Sequence, residues 1–370
     1  MRIGIIGAGQ LGRMLGFAAR DLGVACQFLD PSDAPPAATT GPVIRSAFDD
    51  AEALARLAAE CDIVTFEFEN IPVKALQQIS DLVSVYPPID ALRQAQDRLI
   101  EKQLFSTLAI PLPRYRAIDS ISDLEDAVAS IGLPIVIKTR RMGYDGKGQV
   151  VLKRRDQIGT AWDQLGGREL VAEQWVPFDY EVSVIGVRNV GGDIAIYPIT
   201  RNEHTGGILR RSRAPVESIA LSEQSGRYMQ TLLEHLDYVG VLALELFVVG
   251  DQLLANEFAP RVHNSGHWTI EGSETSQFTN HLRAILNMPP GSTLSRGYAG
   301  MINLIGHMPD AAMQPMPKNC YLHDYGKSPR PGRKLGHITV VADSADRRND
   351  LMAQIEDSIS CQRSRIRPTT

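Results

Sequence analysis

The first part of the chain alternates short apolar segments with amphipathic ones. Strands are predicted at residues 2–6, 24–29, 62–67 and 83–86, and helices at residues 10–22 and 49–60. The strand segments are nearly continuous apolar runs, whereas the helical segments repeat their apolar positions every three to four residues. This alternation, over residues 1 to about 96, predicts an α/β domain with a parallel sheet and helices on both faces.

The pattern changes after residue 97, where helices and strands no longer alternate regularly. Strands are predicted near residues 114–118, 135–139, 150–153, 169–175, 180–188, 193–202 and 207–213, and helices at residues 97–108, 122–131, 222–237 and 274–286. A third, small unit begins near residue 298, with strands at 299–305, 320–325 and 335–342 and a helix at 345–359. We therefore predict α/β and α+β domains at residues 1–96, 97–297 and 298–370.

Two carboxylates lie in an apolar hairpin. The apolar run before Gly250 is interrupted by one acid, Glu245. A two-residue loop would pair Glu245 with Asn256, whereas a three-residue loop ending at Gln252 places Glu245 opposite Glu257. Opposed carboxylates repel each other, and Mg²⁺ bound by both would remove that repulsion. The alternative is that one glutamate lies at a strand edge in solvent.

The residues that follow this hairpin suit an anion. Arg261, His263 and Asn264 bring a cation and hydrogen-bonding groups together within four residues. This composition predicts an anion site beside the metal.

The first strand runs into a glycine-rich turn. Gly7, Gly9 and Gly12 satisfy the dinucleotide fingerprint, and Asp30 stands about 20 residues later, where a ribose-binding acid would lie. The dinucleotide alternative also requires a hydride-transfer domain, which we do not find. A phosphate-bearing small substrate is favoured at this helix N-terminus, with Gln10 offering its amide. The acids at residues 66–70 end another parallel strand and are expected to line the same crevice.

Two basic loops are candidates for phosphate binding. Three glycines, Gly143, Gly146 and Gly148, lie between two strands, with Lys138 and Lys147 nearby. No helix follows this loop, so it is not a Walker P-loop. Residues 327–334 carry four cations held by two prolines and a glycine. Because the prolines restrict the backbone, fixing these charges on a phosphate costs less entropy.

The bulk composition limits the classes of function. A net charge of −5 argues against general nucleic-acid binding. The four scattered cysteines fit reduced thiols, and we expect a cytoplasmic protein. No apolar run approaches the length of about 18 residues that a membrane span needs.

Five stretches together resemble a known family. They are Gly7 to Gly12, Phe66 to Asn70, Gly143 to Gln149, Asn256 to Trp268, and Arg330 to His337. The resemblance is to the 5-(carboxyamino)imidazole ribonucleotide synthases, which are ATP-grasp ligases, and it extends from Gly7 to about Ala342. It implies an ATP-grasp fold with an N-terminal Rossmann-like domain, a mobile lid at about residues 113–180, and a small C-terminal β-rich domain.

The family resemblance also implies a reaction. ATP would phosphorylate bicarbonate to carboxyphosphate, and the carboxyl group would pass to the amine of 5-aminoimidazole ribonucleotide, in purine biosynthesis. ATP and Mg²⁺ are the implied cofactors, and a homodimer is the implied assembly. At Lys147 some homologues have arginine, which makes a bidentate contact that lysine cannot make.

Roles for individual residues follow from the same resemblance. ATP would contact Arg98, Lys138, Gly143, Tyr144, Asp145, Gly146, Lys147, Gly148, Gln149, the adenine hinge Glu173, Gln174, Trp175 and Val176, then Glu181, His204, Asn256 and Glu257. The ribonucleotide would contact Gln10, Tyr144, Asp145, Lys147, Ser265, Lys327, Arg333 and Lys334. Glu245 and Glu257 would hold Mg²⁺. Catalysis would involve Asp145, Arg261, His263 and Asn264, with Asp145 as a proton acceptor.

Three other functions stay open at this point. Another ATP-grasp ligase would use formate or biotin in place of the ribonucleotide. An NAD-dependent dehydrogenase would use the first glycine turn. A non-catalytic regulator would bind nucleotide without turnover.

Overall fold

The computed structural model describes residues 1–143, 147–167, 169–309 and 316–366, with side chains as far as residue 361. None of the helices within these ranges is long and apolar enough to cross a membrane.

The N-terminal part is a parallel sheet, as predicted, with the short strand Val43–Ile44 added to the four expected strands. Its strands are β1 (Arg2–Ile6), β2 (Ala25–Leu29), β3 (Val43–Ile44), β4 (Ile63–Phe66) and β5 (Ser84–Val85), in the order β3-β2-β1-β4-β5. Its helices are α1 (Gln10–Asp21), α2 (Ala51–Glu60), α3 (Val73–Gln77) and α4 (Ile89–Ala95). Alternate residues of β1 face opposite sides, so that Ile5 packs with α1 and Ile6 packs with α2. The strand order reverses between β1 and β4, the point where such sheets bind ligands.

A second, four-stranded sheet forms the predicted lid region. It is built from β6 (Tyr115–Ile118), α6 (Ile121–Ile131), β7 (Ile135–Thr139), β8 (Gln149–Leu152), α7 (Ile158–Gln164) and β9 (Leu170–Gln174), after the connecting helix α5 (Arg98–Thr107). All its strand pairs are antiparallel, in the order β6-β9-β7-β8. Ser120 and Asp123 form a capping box at the start of α6. This region has a small hydrophobic core of its own, which includes Leu124 and Ile135.

The described residues from 180 onward form one large sheet, flanked by helices. Its strands are β10 (Tyr180–Arg188), β11 (Ile194–Ile196), β12 (Thr200–Thr205), β13 (Ile208–Ala214), β14 (Gly240–Val249), β15 (Gln252–Ala259), β16 (Tyr298–Ile305), β17 (Cys320–Asp324) and β18 (Lys334–Ala342). The helices are α8 (Ile219–His235), α9 (Thr269–Gly272), α10 (Gln277–Ile285) and α11 (Ala345–Ile366). The main path runs β15-β14-β10-β12-β13-β16-β18-β17, with β11 paired to β10.

Two features of this sheet differ from the sequence prediction. The strand expected at residues 193–202 is divided into β11 and β12, because Pro198 between them has no N–H to donate. His204, which was expected between two strands, therefore lies inside β12. The C-terminal strands are not a separate sheet, since β16 is hydrogen-bonded to β13. The domain boundaries at residues 97 and 298 stay predictions.

Candidate active site

The opposed glutamates of the hairpin are present, although the loop is the shorter of the two alternatives. Val249 pairs with Gln252, so the loop has two residues and would by itself set Glu245 against Asn256. A β-bulge shifts the register at that point, and Glu245 lies directly across from Glu257. A bulge inserts one unpaired residue in one strand, and here that residue is Asn256.

Helix α5 holds the bulge with three charged residues on one face. Arg98 Nη1 lies 2.8 Å from Glu257 Oε2, Glu101 Oε1 accepts a hydrogen bond of 2.7 Å from the Phe258 amide, and Lys102 Nζ donates to the Asn256 carbonyl. Spacings of three and four residues place these side chains one above another on the helix. Glu101 and Lys102 are 2% and 1% exposed, so both are internal.

The two hairpin carboxylates differ in charge preference. Burial and the neighbouring Glu257 raise the pKa of Glu245 to about 7. Burial alone would raise the pKa of Glu257 too, but Arg98 outweighs it and lowers that pKa to about 2. Ionising both groups together is therefore unfavourable in the protein alone.

A hard divalent cation fits this pair. It would offset the repulsion that raises the pKa of Glu245, and Glu257 exposes 42% of its side chain, so a ligand can reach it. In the described parts of the chain, no three His, Cys, Asp or Glu side chains converge as a complete metal site. A cation here would take its other ligands from water or a bound phosphate, which is how Mg²⁺ is commonly held.

The predicted hinge ends strand β9 beside a buried cation. Lys138 Nζ lies 3.1 Å from Glu173 Oε2, and Lys102 Nζ lies 3.3 Å from the same oxygen. Burial would raise the pKa of Glu173, but the two lysines lower it to about 2. Of the other hinge residues, Gln174 accepts a bond from Arg114 and Trp175 is exposed, while Val176 is half-buried.

Glu181 and His204, both predicted at the ATP site, are in contact. His204 Nδ1 lies 2.6 Å from Glu181 Oε2 across the adjacent strands β10 and β12. Burial lowers the pKa of His204, but the hydrogen bond that its ring donates to Glu181 and the charge of Glu245 raise it more, so that the net shift is upward. The upward shift favours the protonated ring beside the Glu181 carboxylate.

The predicted anion residues lie at the mouth of the hairpin. Arg261 Nη2 donates to Glu69 Oε2 at 2.7 Å, which joins the segment after β15 to the acids after β4. His263 Nε2 lies 3.3 Å from Glu245 Oε1. Asn264 exchanges two side-chain hydrogen bonds with Asn303, at 3.1 and 2.7 Å.

A buried hydroxyl relay sets the tautomer of His263. Ser183 Oγ donates to Ser265 Oγ at 2.7 Å, so the Ser265 hydroxyl proton is free to point at His263 Nδ1, 2.9 Å away. Asn202 donates to Ser183, and Ser212 donates to Asn202, which orders the relay from behind. Burial keeps the pKa of His263 well below its usual value, so the ring is neutral and carries its proton on Nε2, facing Glu245.

Ser265 was expected to contact the ribonucleotide, and this expectation is wrong for its side chain. Ser265 is 0% exposed, and its hydroxyl is already used between Ser183 and His263. Ser265 therefore orients His263 and does not face a ligand.

The glycine-rich turn after β1 is occupied by the chain's own carboxylate. Glu67 Oε1 accepts a 2.6 Å hydrogen bond from the Gly9 amide, and a Cβ at Gly7, where φ is +96°, would lie 2.7 Å from the Glu67 side chain. Asp30 accepts from the amides of Ala8 and Ser32. In this arrangement Glu67 takes the place of the favoured small-substrate phosphate at this turn. Asp30, which only the dinucleotide alternative invoked, is engaged by backbone amides.

Gln10 and Lys327 do meet, as their shared assignment to one substrate requires. Lys327 Nζ donates to Gln10 Oε1 and lies over the Tyr325 ring, 5.9 Å from its centroid. Burial lowers the pKa of Lys327 to about 8, although the Glu67 carboxylate opposes this shift.

The two basic loops are described only in part. Tyr144, Asp145 and Gly146 lie outside the described residues. Gly143 lies against Arg98, whose Nη2 donates to its carbonyl at 3.2 Å, while Lys147, Gly148 and Gln149 are exposed. In the second loop, Arg333 Nη1 donates to the Ser328 carbonyl at 3.1 Å, and Lys334 begins β18.

Sequence reasoning missed the buried polar residues that orient the site. These are Glu101, Lys102, Ser183, Asn202, Ser212 and Asn303. The sequence does contain an indication of the strand residues, because Ser183, Asn202 and Ser212 are polar residues at buried positions of predicted strands. For Glu101 and Lys102 the signal was two charges on the apolar face of a helix.

Comparisons with known proteins cover almost the whole chain. Residues 1–96 match the ribonucleotide synthetase preATP-grasp domain, residues 103–278 the ATP-grasp domain, and residues 299–350 the phosphoribosylaminoimidazole carboxylase C-terminal domain. The N5-carboxyaminoimidazole ribonucleotide synthase of Pseudomonas aeruginosa is 48% identical over 344 residues, covering 92% of this chain and 94% of the relative.

Solved structures agree with these matches. The crystal structure of the N5-carboxyaminoimidazole ribonucleotide synthetase of Thermus thermophilus superposes with a TM-score of 0.93 at 48% identity, covering 97% of this chain and 98% of that one. The Aspergillus clavatus enzyme, solved with ADP and 5-aminoimidazole ribonucleotide, gives a TM-score of 0.90 at 31% identity, covering 97% and 98%. This chain is an ATP-dependent ligase of the ATP-grasp superfamily and belongs to the N5-carboxyaminoimidazole ribonucleotide synthase family.

Proposed function

We propose that this protein uses ATP and bicarbonate to carboxylate the exocyclic amine of 5-aminoimidazole ribonucleotide. The products are 5-(carboxyamino)imidazole ribonucleotide, ADP and phosphate. The observation that carries the proposal is the juxtaposition of the Glu245–Glu257 pair with the cations Arg98 and Lys138 on one side and the Arg261–His263 anion group on the other. The reaction is the one for which the relatives are named.

The first step is phosphoryl transfer. A bicarbonate oxygen attacks the γ-phosphorus of ATP, ADP leaves, and carboxyphosphate forms. Such transfers depend on positioning and charge neutralisation more than on a protein nucleophile. Glu245 and Glu257 would hold Mg²⁺, which would neutralise phosphate charge when bound. Arg98 and Lys138 neutralise charge on the nucleotide, and the hinge at residues 173–176 contacts adenine through its backbone.

His263 and Arg261 organise the bicarbonate end. The relay through Ser265 leaves the His263 Nε2–H as a donor beside Glu245, and Arg261 is 15% exposed at the same mouth. A neutral donor and a fixed cation together suit an anion that must accept a phosphoryl group. Asn264, held by Asn303, adds an oriented amide.

The second step transfers the carboxyl group. The ribonucleotide amine attacks the carbonyl carbon of carboxyphosphate, phosphate leaves, and the amine gives up one proton. Asp145, which lies outside the described residues, stays the predicted proton acceptor. Gln10 and Lys327 contact the ribonucleotide, and Arg333 and Lys334 contribute charge to its phosphate. Because carboxyphosphate is unstable in water, the lid at about residues 113–180 would close before it forms.

The proposal also includes a homodimer and a cytoplasmic location, both carried over from the sequence analysis.

A side-by-side acceptor assay tests the proposed substrate. Purified protein with Mg²⁺-ATP and ¹³C-bicarbonate is offered 5-aminoimidazole ribonucleotide, biotin, or no acceptor, and a formate reaction runs in parallel. Label in a carbamate on the ribonucleotide is the expected result. Label on biotin, or a formylated product, would assign a different ATP-grasp reaction.

A further inference from the structure

The lysine proposed for the nucleotide phosphates is already engaged in the protein alone. Lys138 Nζ donates to Glu173 Oε2 at 3.1 Å, and the Lys138 side chain is only 13% exposed. To contact a phosphate, Lys138 has to leave this carboxylate. Glu173 is 3% exposed, and its other oxygen, Oε1, has no hydrogen-bond partner. An isolated ionised carboxylate in such a place is strongly unfavourable.

Lys102 provides a second cation at the same oxygen. Its Nζ lies 3.3 Å from Glu173 Oε2 and also donates to the Asn256 carbonyl. Lys102 reaches this position from α5 and is 1% exposed, so it cannot move to a ligand without breaking the bulge contact. Of the two lysines on Glu173, one is fixed internally and the other lies nearer the surface.

We propose that Lys102 is a positioning residue that keeps Glu173 paired when Lys138 moves to the nucleotide phosphates. The inference rests on the proposed function, because it takes Lys138 to be a phosphate ligand. Lys102 thereby lowers the cost of releasing Lys138, and it contacts neither nucleotide nor acceptor. The same side chain ties the hinge strand β9 to the bulge that sets the Glu245–Glu257 register.

Comparing the binding of ADP with that of adenosine, the nucleoside that lacks the phosphates, tests this role. The affinities of ADP and adenosine are measured by calorimetry for the wild type, Lys102→Met and the control Gln103→Met, an exposed neighbour on the same helix. We expect Lys102→Met to bind ADP at least about tenfold more weakly, because releasing Lys138 would leave Glu173 unpaired. Adenosine affinity should change less than about threefold, since adenosine does not need Lys138. Gln103→Met should match the wild type.

A second substitution separates the release of Lys138 from a general loss of structure. In Lys102→Met/Glu173→Gln no carboxylate remains to hold Lys138, so ADP affinity should return to within about threefold of Glu173→Gln alone. A purely structural role for Lys102 predicts no such recovery. If Lys102→Met does not fold, the single variant Glu173→Gln is the test. We expect this variant to bind ADP more tightly than the wild type, because no carboxylate holds Lys138 back. Weaker binding of ADP overturns the inference.

The outcomes also distinguish this inference from the function on which it rests. A wild type that binds ADP no better than adenosine would contradict the assignment of Lys138, and with it the proposed nucleotide site. A wild type that prefers ADP, together with a Lys102→Met variant that keeps the same preference, would contradict the role of Lys102 alone.

Discussion

Glu245 and Glu257 face each other across an antiparallel hairpin only because Asn256 is bulged out of the pairing. The bulge is held from outside the sheet by Lys102 and by the neighbouring Glu101–Phe258 hydrogen bond. The site is therefore assembled by helix α5 as much as by the strands that carry the carboxylates. The position of Arg98 on the same helix makes the two glutamates inequivalent.

This asymmetry predicts opposite effects of two similar substitutions on the metal-free protein. Glu245→Gln should raise the free energy of unfolding above pH 7. The pKa of Glu245 is raised to about 7 in the folded protein, so its ionised form destabilises the fold above that pH, and glutamine does not ionise. Glu257→Gln should lower the free energy of unfolding, because the ion pair with Arg98 is lost. Urea denaturation with EDTA at pH 8 measures both.

Both glutamine variants should also lose at least about 100-fold in ATP turnover with Mg²⁺, if both carboxylates hold the ion. Glu52→Gln, on the exposed side of α2, is the control that should change neither property. Normal turnover of Glu257→Gln would remove Glu257 from the metal site.

The hydroxyl relay predicts that a buried serine affects bicarbonate use. Ser183→Ala removes the donor that directs the Ser265 proton to His263 Nδ1, so His263 can adopt the other tautomer. We expect turnover to fall about tenfold at saturating ATP, with the KM for bicarbonate raised and the KM for ATP within about twofold.

Ser225→Ala is the matched control for this relay. Ser225 is also 0% exposed, but its hydroxyl bonds the Ser222 carbonyl within α8, away from the site. Equal losses in the two variants would attribute the effect to packing and not to the tautomer of His263.

The lowered pKa of Lys327 predicts a pH limit on substrate binding. Lys327 is charged below about pH 8 and loses its proton above it, so affinity for the ribonucleotide should weaken as the pH rises from 7 to 9.5. Lys327→Arg should bind with no weakening in this range, because arginine keeps its charge. Calorimetry across the pH range measures the effect, and the exposed Lys153→Arg serves as control. A wild-type affinity that does not vary with pH would exclude Lys327 as the charge involved.

A structural feature could be predicted from the sequence when the residues that determine it lie within one segment of the chain. The parallel sheet of residues 1–96 follows from periodicity, which each segment carries in itself. Loop length left the pairing of Glu245 with Asn256 or Glu257 open, because the Asn256 bulge that decides it is fixed by a helix that is distant in sequence. From the sequence alone, the charged residues of α5 would be placed on a solvent-exposed face. Only the fold shows that they contact β15.

The glycine turn shows the same limit more clearly. Its fingerprint predicts an anion at the start of α1, but the group found there is the side chain of Glu67, which follows β4 and lies 58 residues along the chain from Gly9. Similarly, nothing in residues 298–342 shows that β16 joins β13. Side-chain partners that come from remote segments need the fold before they can be named.

A buried histidine between the N-terminal sheet and the large sheet predicts a loss of stability in acid. His281 Nδ1 accepts from the Val241 amide and its Nε2 lies 2.8 Å from Thr65 Oγ1. Burial lowers the pKa of His281 from 6.5 to about 4. The unfolded chain therefore binds a proton between pH 6.5 and 4 that the folded chain does not, and stability falls as the pH is lowered.

The size of this effect is about 3 kcal/mol, at about 1.4 kcal/mol for each pKa unit. His281→Gln should show a shallower fall in the free energy of unfolding over this pH range, whereas the exposed His235→Gln should keep the wild-type slope. Identical slopes in all three proteins would show that His281 is not the group responsible.

Phosphate release from Mg²⁺-ATP tests the proposed reaction most directly. It is measured with bicarbonate present or removed, and with 5-aminoimidazole ribonucleotide present or absent. We predict strong stimulation by the ribonucleotide that disappears when bicarbonate is removed. Equal ATP turnover in all four conditions, or none in any of them, would contradict the proposal.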